Sequence, residues 1–207
     1  MQKRSRTILT TVLFAAAWIV FLVFGLRQLL SYESAPGTVG NTPPSWPVAT
    51  KIERAPNGHT LVMLAHPHCP CTRASVGELA QLMAHVQGKV RAYVLVLQPA
   101  NAEAGWSDTN LEKSAADIPG VTILKDIDGK EAGWFGAETS GHTLLFDSAG
   151  RLLFSGGITE SRGHAGGNAG ESAIVSLINN KSADRSKTFV FGCSLVDRGK
   201  TEAAAKW

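Results

Sequence analysis

The hydrophobic residues of this chain form one long unbroken run near the N-terminus, followed by short runs and spaced stripes. The first run, from Ile8 to Leu26, contains no charged residue and approaches the roughly 20 apolar residues that a tilted helix needs to cross a bilayer. A cleavable signal peptide usually has a shorter apolar region, of about 7–15 residues, which ends at a small-residue cleavage site. The pattern therefore favours an uncleaved transmembrane helix within residues 1–30 over a signal peptide.

The charges that precede this run predict its orientation. Lys3, Arg4 and Arg6 lie on its N-terminal side, and positive charge beside a transmembrane helix stays in the cytoplasm. We therefore expect a single pass through the cytoplasmic (inner) membrane. Everything after Arg27 is then expected outside, in the periplasm or another extracytoplasmic space.

Residues 31–50 have a different composition from the segments on either side. They are rich in Pro, Gly, Ser and Thr and have too few apolar residues to order themselves, which predicts a flexible linker. Trp46 is an exception, because a large indole in such a segment usually covers a surface. We expect Trp46 to pack on the folded domain, which is predicted to occupy residues 51–207.

After the linker, short apolar runs alternate with helical stripes, which predicts an α/β domain. Residues 60–66 and 90–98 are typical of buried parallel strands, and apolar residues recur at helical spacing over residues 72–86 between them. This pattern predicts one βαβ unit. On its helix, the residues expected on the solvent face are Ser75, Glu78, Gln81 and His85.

The rest of the domain predicts a shift from parallel to antiparallel pairing. A short helix over residues 110–117, a strand over 121–126 and a helical turn over 129–136 follow the βαβ unit. Residues 142–157 then predict a β-hairpin, whose turn contains Gly150. Asn168 and Glu171 form a capping box that starts a final helix.

The composition excludes one class of function and limits the disulfide chemistry. The 20 Lys and Arg residues against 17 Asp and Glu give a net charge of +3, which is too small to predict nucleic-acid binding. The three cysteines allow at most one internal disulfide, so that the third thiol stays free or pairs with a partner. An extracytoplasmic compartment permits such a bond but does not select the pair.

Two landmarks in this order of elements resemble the thioredoxin-like superfamily. In that family a buried strand ends at a Cys-x-x-Cys pair that opens a helix, and here the strand leads into Cys69-Pro70-Cys71. The family also has a Pro-Thr step at the entry of the hairpin, and here His142-Thr143 occupies that place. The resemblance implies a thioredoxin-like fold, in which helices flank a central mixed sheet.

Four segments extend this resemblance to a narrower group. They are HPHCPCTRAS, FGAETSGH, GGITESRGHAGGNAG and FGC. They are similar to segments of the membrane-anchored thioredoxin-like proteins labelled RedB, and the similarity spans Trp46 to Cys193. The group label implies little about mechanism.

Cys69 and Cys71 carry the first functional hypothesis. A thiol reacts as its thiolate, whose pKa falls at a helix N-terminus or near a cation. We expect Cys71 to precede the helix directly, unless Ser75 and Glu78 form a capping box that starts the helix one turn later. A disulfide between residues only two apart is strained, and a strained, exposed disulfide is easily reduced.

These properties predict a thiol-disulfide oxidoreductase with both sulfurs open to solvent. Cys69 is the expected nucleophile by analogy with the family, and Cys71 the expected second thiol. The reaction requires no cofactor. The expected partner is a protein dithiol or disulfide, or a membrane redox enzyme.

A second hypothesis uses the same sulfurs as metal ligands. Two cysteines and a histidine suit copper, or zinc with a fourth ligand. The resemblance places His142 beside the cysteines, where the family's proline has no ligand atom. The predicted ligands Cys69, Cys71 and His142 are similar in type, though not in spacing, to those of the copper-carrying Sco proteins.

The remaining candidates are less specific. His68, His164 and Cys193 are weaker metal ligands, and the sequence leaves Cys193 open as a resolving thiol, a third ligand or a core residue. Redox and metal functions can coexist, because metal loading requires the reduced pair. Peroxidase chemistry is disfavoured, since the Pro-x-x-x-Thr-x-x-Cys pattern of peroxiredoxins is absent from the sequence.

Overall fold

The structure is a computed structural model that describes residues 2–38 and 40–195, with side chains from residue 6 onward. The chain divides into two compact units, residues 1–35 and 36–207. The predicted end of the domain at residue 207 lies outside the described residues. The side chains of Lys3 and Arg4, on which the predicted orientation partly depends, also lie outside them.

The first unit is the helix α1 (Gln2–Ser34). Its segment Arg6–Ser34 is the one helix in the described part of the chain that is long and apolar enough to cross a membrane. At about 1.5 Å per residue it exceeds the roughly 30 Å hydrocarbon core of a bilayer. A signal sequence at this position meets the same criterion. The apolar N-terminal helix is therefore confirmed, and it ends at Ser34 instead of near residue 30.

The second unit alternates strands and helices in the predicted order. The elements are β1 (His59–Ala65), α2 (Pro70–Val86), β2 (Val90–Gln98), α3 (Asn110–Ala116), β3 (Val121–Ile127), α4 (Lys130–Trp134), β4 (His142–Phe146), β5 (Leu152–Gly156) and α5 (Ala169–Ile178). Every strand begins and ends within one residue of the run that predicts it. The hydrophobic pattern is thus a close guide to the sheet.

The five strands form one sheet in the order β3-β2-β1-β4-β5. β2 runs parallel to both β1 and β3, whereas β4 runs antiparallel to both β1 and β5. A βαβ unit joined to an antiparallel hairpin around a central β1 is the thioredoxin-like arrangement, so the predicted fold class is confirmed. Leu64 near the end of β1 pairs with His142 at the start of β4. The chain that follows β1 and the chain that precedes β4 therefore emerge at the same edge of the sheet.

Alternate residues of β1 pack into two cores, one on each face of the sheet. Leu61, Met63 and Ala65 join the core that includes residues of α2 and α5. Val62 and Leu64 join the opposite core. Successive side chains of a strand point to opposite faces, and a strand that is covered on both faces reads as a continuous hydrophobic run. This burial explains why β1 shows no polar alternation.

The structure corrects the predicted start of α2. The helix begins at Pro70, with Cys69 as its N-cap residue, so Cys71 lies inside the first turn and Ser75 does not cap the helix. A proline suits the first helical position, because its missing N–H would have no helical partner there. The positive end of the helix dipole consequently lies at Cys69.

The predicted solvent face of α2 is half wrong. Gln81 and His85 are exposed, as expected, but Ser75 and Glu78 are buried. The carboxylate of Glu78 is satisfied inside the protein by the backbone N–H of Gly166, which donates to it at 2.7 Å. This partner comes from a distant loop, and helical periodicity gives no indication of it.

The part of the predicted flexible linker that belongs to the second unit contacts the rest of the domain. The backbone N–H of Gly37 donates to the carbonyl of Val190 at 2.7 Å. Trp46 packs edge-on against Phe135 and Phe146, with ring centroids 5.2 and 5.0 Å apart, as expected for this indole. Backbone hydrogen bonds and one aromatic ring hold this part of the segment. Its composition, which is poor in apolar residues, predicts flexibility and gives no indication of these contacts.

Candidate active site

Cys69 lies where the chain passes from β1 into α2. Its backbone is extended, with φ −83° and ψ 112°, and its side chain is only 2% exposed. A sulfur at a helix N-terminus experiences the positive end of the helix dipole, which stabilises a thiolate. The local fold therefore gives Cys69 the environment of a reactive thiol, although a buried one.

The sulfur of Cys69 contacts the sulfur of Cys193, which comes from the other end of the domain sequence. The two Sγ atoms are 2.9 Å apart, and the backbone N–H of Cys193 donates to Cys69 Sγ at 3.3 Å. Both residues are free thiols here, and a disulfide would bring the sulfurs to about 2.05 Å. The structure thus pairs two thiols in direct contact.

A short C-terminal segment, residues 192–195, holds Cys193 in place, and we call it the tail strand. It lies antiparallel to residues 138–141, which enter β4 and which we call the entry loop, with Thr139 opposite Ser194. The backbone N–H of Ser140 donates to the carbonyl of Cys193 at 2.8 Å, and the N–H of Leu195 donates to the carbonyl of Glu138 at 2.9 Å. The tail strand is therefore docked by backbone hydrogen bonds at Cys193 itself and at Leu195.

Residues from four separate segments of the chain meet around this thiol pair. Ser140 of the entry loop shares a hydrogen bond with the hydroxyl of Thr72 in α2 and accepts one from the backbone N–H of His66 at 2.7 Å. Arg162, from the glycine-rich loop, donates to the carbonyl of Gly192 in the tail strand at 2.6 Å. Segments that are distant in the sequence therefore build one site.

Opposing effects set the pKa of the Cys69 thiol. Burial alone would raise this pKa, but hydrogen bonds from the side chains and backbones of Cys193 and Thr72 outweigh burial, and the net pKa lies below that of an ordinary thiol. Hydrogen bonds to a charged form favour that form. Cys69 is thus the thiol of this site that is most readily ionised.

The other two thiols are harder to ionise. Burial and the nearby charge of Cys69 raise the pKa of Cys71. Burial, together with the hydrogen bond to Cys69 and its charge, raises the pKa of Cys193 to about 12. The positive charge of Arg162 acts in the opposite direction on both thiols. The site therefore combines one activated sulfur with two protonated neighbours.

The expectation that the sulfurs of Cys69 and Cys71 are open to solvent is wrong. Cys71 is 7% exposed, and Cys69 is even more buried. The early start of α2 places Cys71 inside the first helical turn, and the tail strand lies against Cys69. A cleft of about 430 Å³ nevertheless opens beside Cys69, lined also by His68, Arg73 and Thr109.

The structure does not bring His142 together with the cysteines as a metal site. Its ring Nε2 is 2.9 Å from the hydroxyl of Ser155, and its Nδ1 is buried without a hydrogen-bond partner. Among the described residues, no three His, Cys, Asp or Glu side chains are grouped so as to hold a metal ion. The copper or zinc alternative with Cys69, Cys71 and His142 is therefore not favoured.

The weaker histidine candidates lie at the protein surface. His68 is exposed, and its ring packs edge-on against Trp106 with centroids 4.6 Å apart. Its backbone N–H donates to the Nδ1 atom of His66 at 3.2 Å. His164 is exposed in the glycine-rich loop. Both positions fit loop-shaping or surface roles.

The sequence-based reasoning missed Arg162, Thr72 and Ser140. Arg162 lies in the glycine-rich segment just before His164, and no local pattern marks it as a neighbour of the thiols. Thr72 and Ser140 carry no signal, because their hydroxyls meet only in the fold. Each acts here through a contact between distant segments.

Comparison with known structures finds two of similar fold. A hypothetical protein from Sinorhizobium meliloti 1021 is 17% identical with a TM-score of 0.55, covering 79% of this chain and 96% of its own. An uncharacterized conserved protein from Geobacillus kaustophilus is 20% identical with a TM-score of 0.57, covering 80% and 95%. This chain has a thioredoxin-like fold. Identities this low establish the fold alone.

A third similar structure is that of a protein described as a thioredoxin. The exposed lipoprotein thioredoxin of Streptococcus pneumoniae strain TIGR4 is 14% identical with a TM-score of 0.41, covering 60% of this chain and 85% of its own. Similarity at that level supports no argument about function. No protein-family model matches the sequence, and neither does any curated protein. The function of this thioredoxin-like chain must therefore be inferred from its own site.

Proposed function

We propose that this protein is a membrane-anchored, extracytoplasmic thiol-disulfide oxidoreductase of the RedB type, in which Cys69 of the Cys-Pro-Cys centre is the attacking sulfur. The observation that carries the proposal is the environment of Cys69. It caps a helix, lies 2.9 Å from a second thiol, and has a lowered pKa despite its burial. A structural cysteine in an apolar core would instead have a raised pKa.

The chemistry needs one ionised sulfur and one thiol beside it. Thiol-disulfide exchange proceeds by attack of a thiolate on a disulfide, followed by resolution of the mixed disulfide by a second thiol. Cys71 and Cys193 both lie close enough to Cys69 for its charge to raise their pKa values. No cofactor is needed for either step, and the partner is a protein dithiol or disulfide, including one carried by a membrane redox enzyme.

The apolar α1 helix supports the proposed location. A helix of this length and composition with basic residues before it is expected to anchor the domain with its C-terminal side outside the cytoplasm. Such compartments tolerate disulfides, whereas the cytosol keeps most thiols reduced. A location outside the cytoplasm is therefore consistent with both the membrane anchor and the disulfide chemistry of the thiols.

The test is exchange activity of the full-length protein in detergent. Reduced protein is mixed with a fluorescent peptide that contains one disulfide, and peptide reduction is followed in the wild type, in Cys69→Ser and in the exposed-site control His164→Ala. We expect the control to match the wild type and Cys69→Ser to fall to the rate without protein. A Cys69→Ser protein that reduces the peptide as fast as the wild type would refute the proposed function.

A further inference from the structure

We propose that Cys193 is the resolving thiol of this site, that the docked tail strand delivers it, and that the oxidised protein contains a Cys69–Cys193 disulfide instead of a bond within Cys-Pro-Cys. The inference rests on the proposed thiol-disulfide exchange at Cys69 and adds its second catalytic residue. Its first support is the direct contact of the two Sγ atoms at 2.9 Å.

The docking of the tail strand supports the same pairing. Backbone hydrogen bonds at Cys193 and Leu195 tie the strand to the entry loop, and a third hydrogen bond, from Arg162 to Gly192, fixes its beginning. A Cβ atom on Gly192 would lie 2.0 Å from the carbonyl oxygen of Ser140, so the two backbones approach closely there. The fold therefore provides a specific docking site for the tail strand, which carries Cys193.

Reversible docking of the tail strand explains how a buried Cys69 can react. Short strands held by a few backbone hydrogen bonds can be added to or removed from an edge, as in peptide recognition by strand addition. We infer that the tail strand leaves the entry loop to expose Cys69 and then redocks. A substrate peptide that carries a disulfide can pair with the vacated entry loop in the meantime.

The steps balance in atoms and electrons. The Cys69 thiolate attacks one sulfur of a substrate disulfide; the Cys69–substrate bond forms, the substrate disulfide breaks, and the leaving thiolate takes a proton from water. Cys193 then loses its proton to water and attacks Cys69 Sγ; the Cys69–Cys193 bond forms and the second substrate thiolate leaves and is protonated. The substrate gains two electrons, the two cysteines lose them, and an external dithiol restores the reduced protein.

The charges of the site favour this order of events. Part of what raises the pKa of Cys193 is the negative charge of Cys69, and this charge disappears once Cys69 is in the mixed disulfide. The positive charge of Arg162 remains nearby and lowers the pKa of Cys193. Cys193 thus stays protonated while Cys69 attacks and becomes easier to ionise when its own attack is due.

The experiment counts thiolates released from one equivalent of dithiobis-nitrobenzoate, an aromatic disulfide whose released thiolate is coloured. Reduced full-length protein in detergent is compared as wild type, Cys193→Ser and Cys71→Ser, and each product is analysed by peptide mass. We expect two thiolates from the wild type and from Cys71→Ser, with a Cys69–Cys193 linked peptide in both. Cys193→Ser should stop after one, its second release slowed at least about 100-fold, since an intramolecular thiol acts at high effective concentration.

The outcomes separate this inference from the proposed function. If Cys193→Ser still releases both thiolates at the wild-type rate, or if the linked peptide joins Cys69 to Cys71, the inference is wrong while exchange at Cys69 stands. If the wild type releases no more thiolate than Cys69→Ser, the proposed function itself fails. Cys71→Ser provides a measurement that does not depend on the fold of Cys193→Ser: with only Cys69 and Cys193 left, it must lose two hydrogens on oxidation, and failure to do so overturns the inference.

Discussion

The side-chain amide of Asn168 donates a 3.1 Å hydrogen bond to the buried carboxylate of Glu78. Asn168 also caps α5, because its side-chain oxygen accepts from the backbone N–H of Glu171 at 2.7 Å. Glu78 therefore orients the residue that begins α5 and ties α2 to the glycine-rich loop through Gly166.

Replacing Glu78 by leucine is expected to destabilise the protein by about 2–4 kcal/mol, because the buried amide of Asn168 and the backbone N–H of Gly166 both lose this acceptor. Glu78→Gln should cost less, since its amide oxygen can still accept one hydrogen bond. Urea unfolding of the detergent-solubilised protein measures both. Gln81→Leu, at an exposed position of the same helix, is the control and should change stability little; equal effects at positions 78 and 81 would contradict this role.

The burial of His142 predicts a loss of stability in mild acid. Burial lowers its pKa from 6.5 to about 4, so between these values the unfolded chain binds a proton that the folded protein does not. Stability therefore falls as pH falls from about 6.5 to about 4, by about 3 kcal/mol at the end of this window. His142→Leu should flatten the pH dependence of unfolding free energy measured in urea.

The control for His142→Leu is a substitution of a histidine that is exposed to solvent. His164→Leu changes an exposed residue and should leave the slope between pH 4 and 6.5 as it is in the wild type. The result that counts against our interpretation is an unchanged slope in His142→Leu.

The lowered pKa of Cys69 predicts that this thiol is alkylated at lower pH than an ordinary thiol. Its thiolate persists to lower pH than that of an ordinary thiol, because Cys193 and Thr72 donate hydrogen bonds to the sulfur, whereas Cys193 with a pKa of about 12 stays unreactive. Iodoacetamide labelling followed by peptide mass analysis over a pH series gives the profile of each thiol. Cys69 should be labelled first.

Thr72→Val tests the cause of that profile. It removes a hydroxyl that lowers the pKa of Cys69 and should move the labelling profile of Cys69 to higher pH. Thr122→Val makes the same chemical change at an exposed site on β3 and should have no effect. A profile that does not respond to Thr72→Val would show that another contact lowers the pKa.

Gly192→Ala should disturb the docking of the tail strand on the entry loop without removing a thiol. The added Cβ would meet the carbonyl oxygen of Ser140 at 2.0 Å, and backbone cannot yield there as a flexible side chain would. We expect slower formation of the Cys69–Cys193 bond, measured by quenched mass analysis after oxidation. Gly163→Ala is unsuitable as a comparison because of its positive φ, whereas Gly167→Ala has open space and should react like the wild type.

The central strands of the sheet were predictable because they are covered on both faces. Leu61 to Ala65 are fully buried, so a continuous hydrophobic run marks β1 without ambiguity, and the apolar residues of α1 mark that helix in the same way. The start of α2 was less predictable, because Pro70 and the Ser75/Glu78 pair are both valid helix-start signals. Only the tertiary partners of Glu78 decide between them.

The reactive pair could be predicted only in part. Cys69 was found from its local setting, a thiol between a strand and a helix. Its partner lies 124 residues away, and no local pattern encodes a contact of that kind. The burial of Cys69 and the position of Arg162 follow from that same long-range packing, and so they too emerged only in the folded protein.

A covalent link between Cys69 and Cys193 would close a ring around nearly the whole folded unit. Cross-linking a loop of about 100 residues lowers the entropy of the unfolded chain by an amount equivalent to about 4.7 kcal/mol, whereas a link from Cys69 to Cys71 would restrict almost nothing. The oxidised protein would then resist heat far better than the reduced one. Its melting temperature would serve as a direct gauge of its oxidation state.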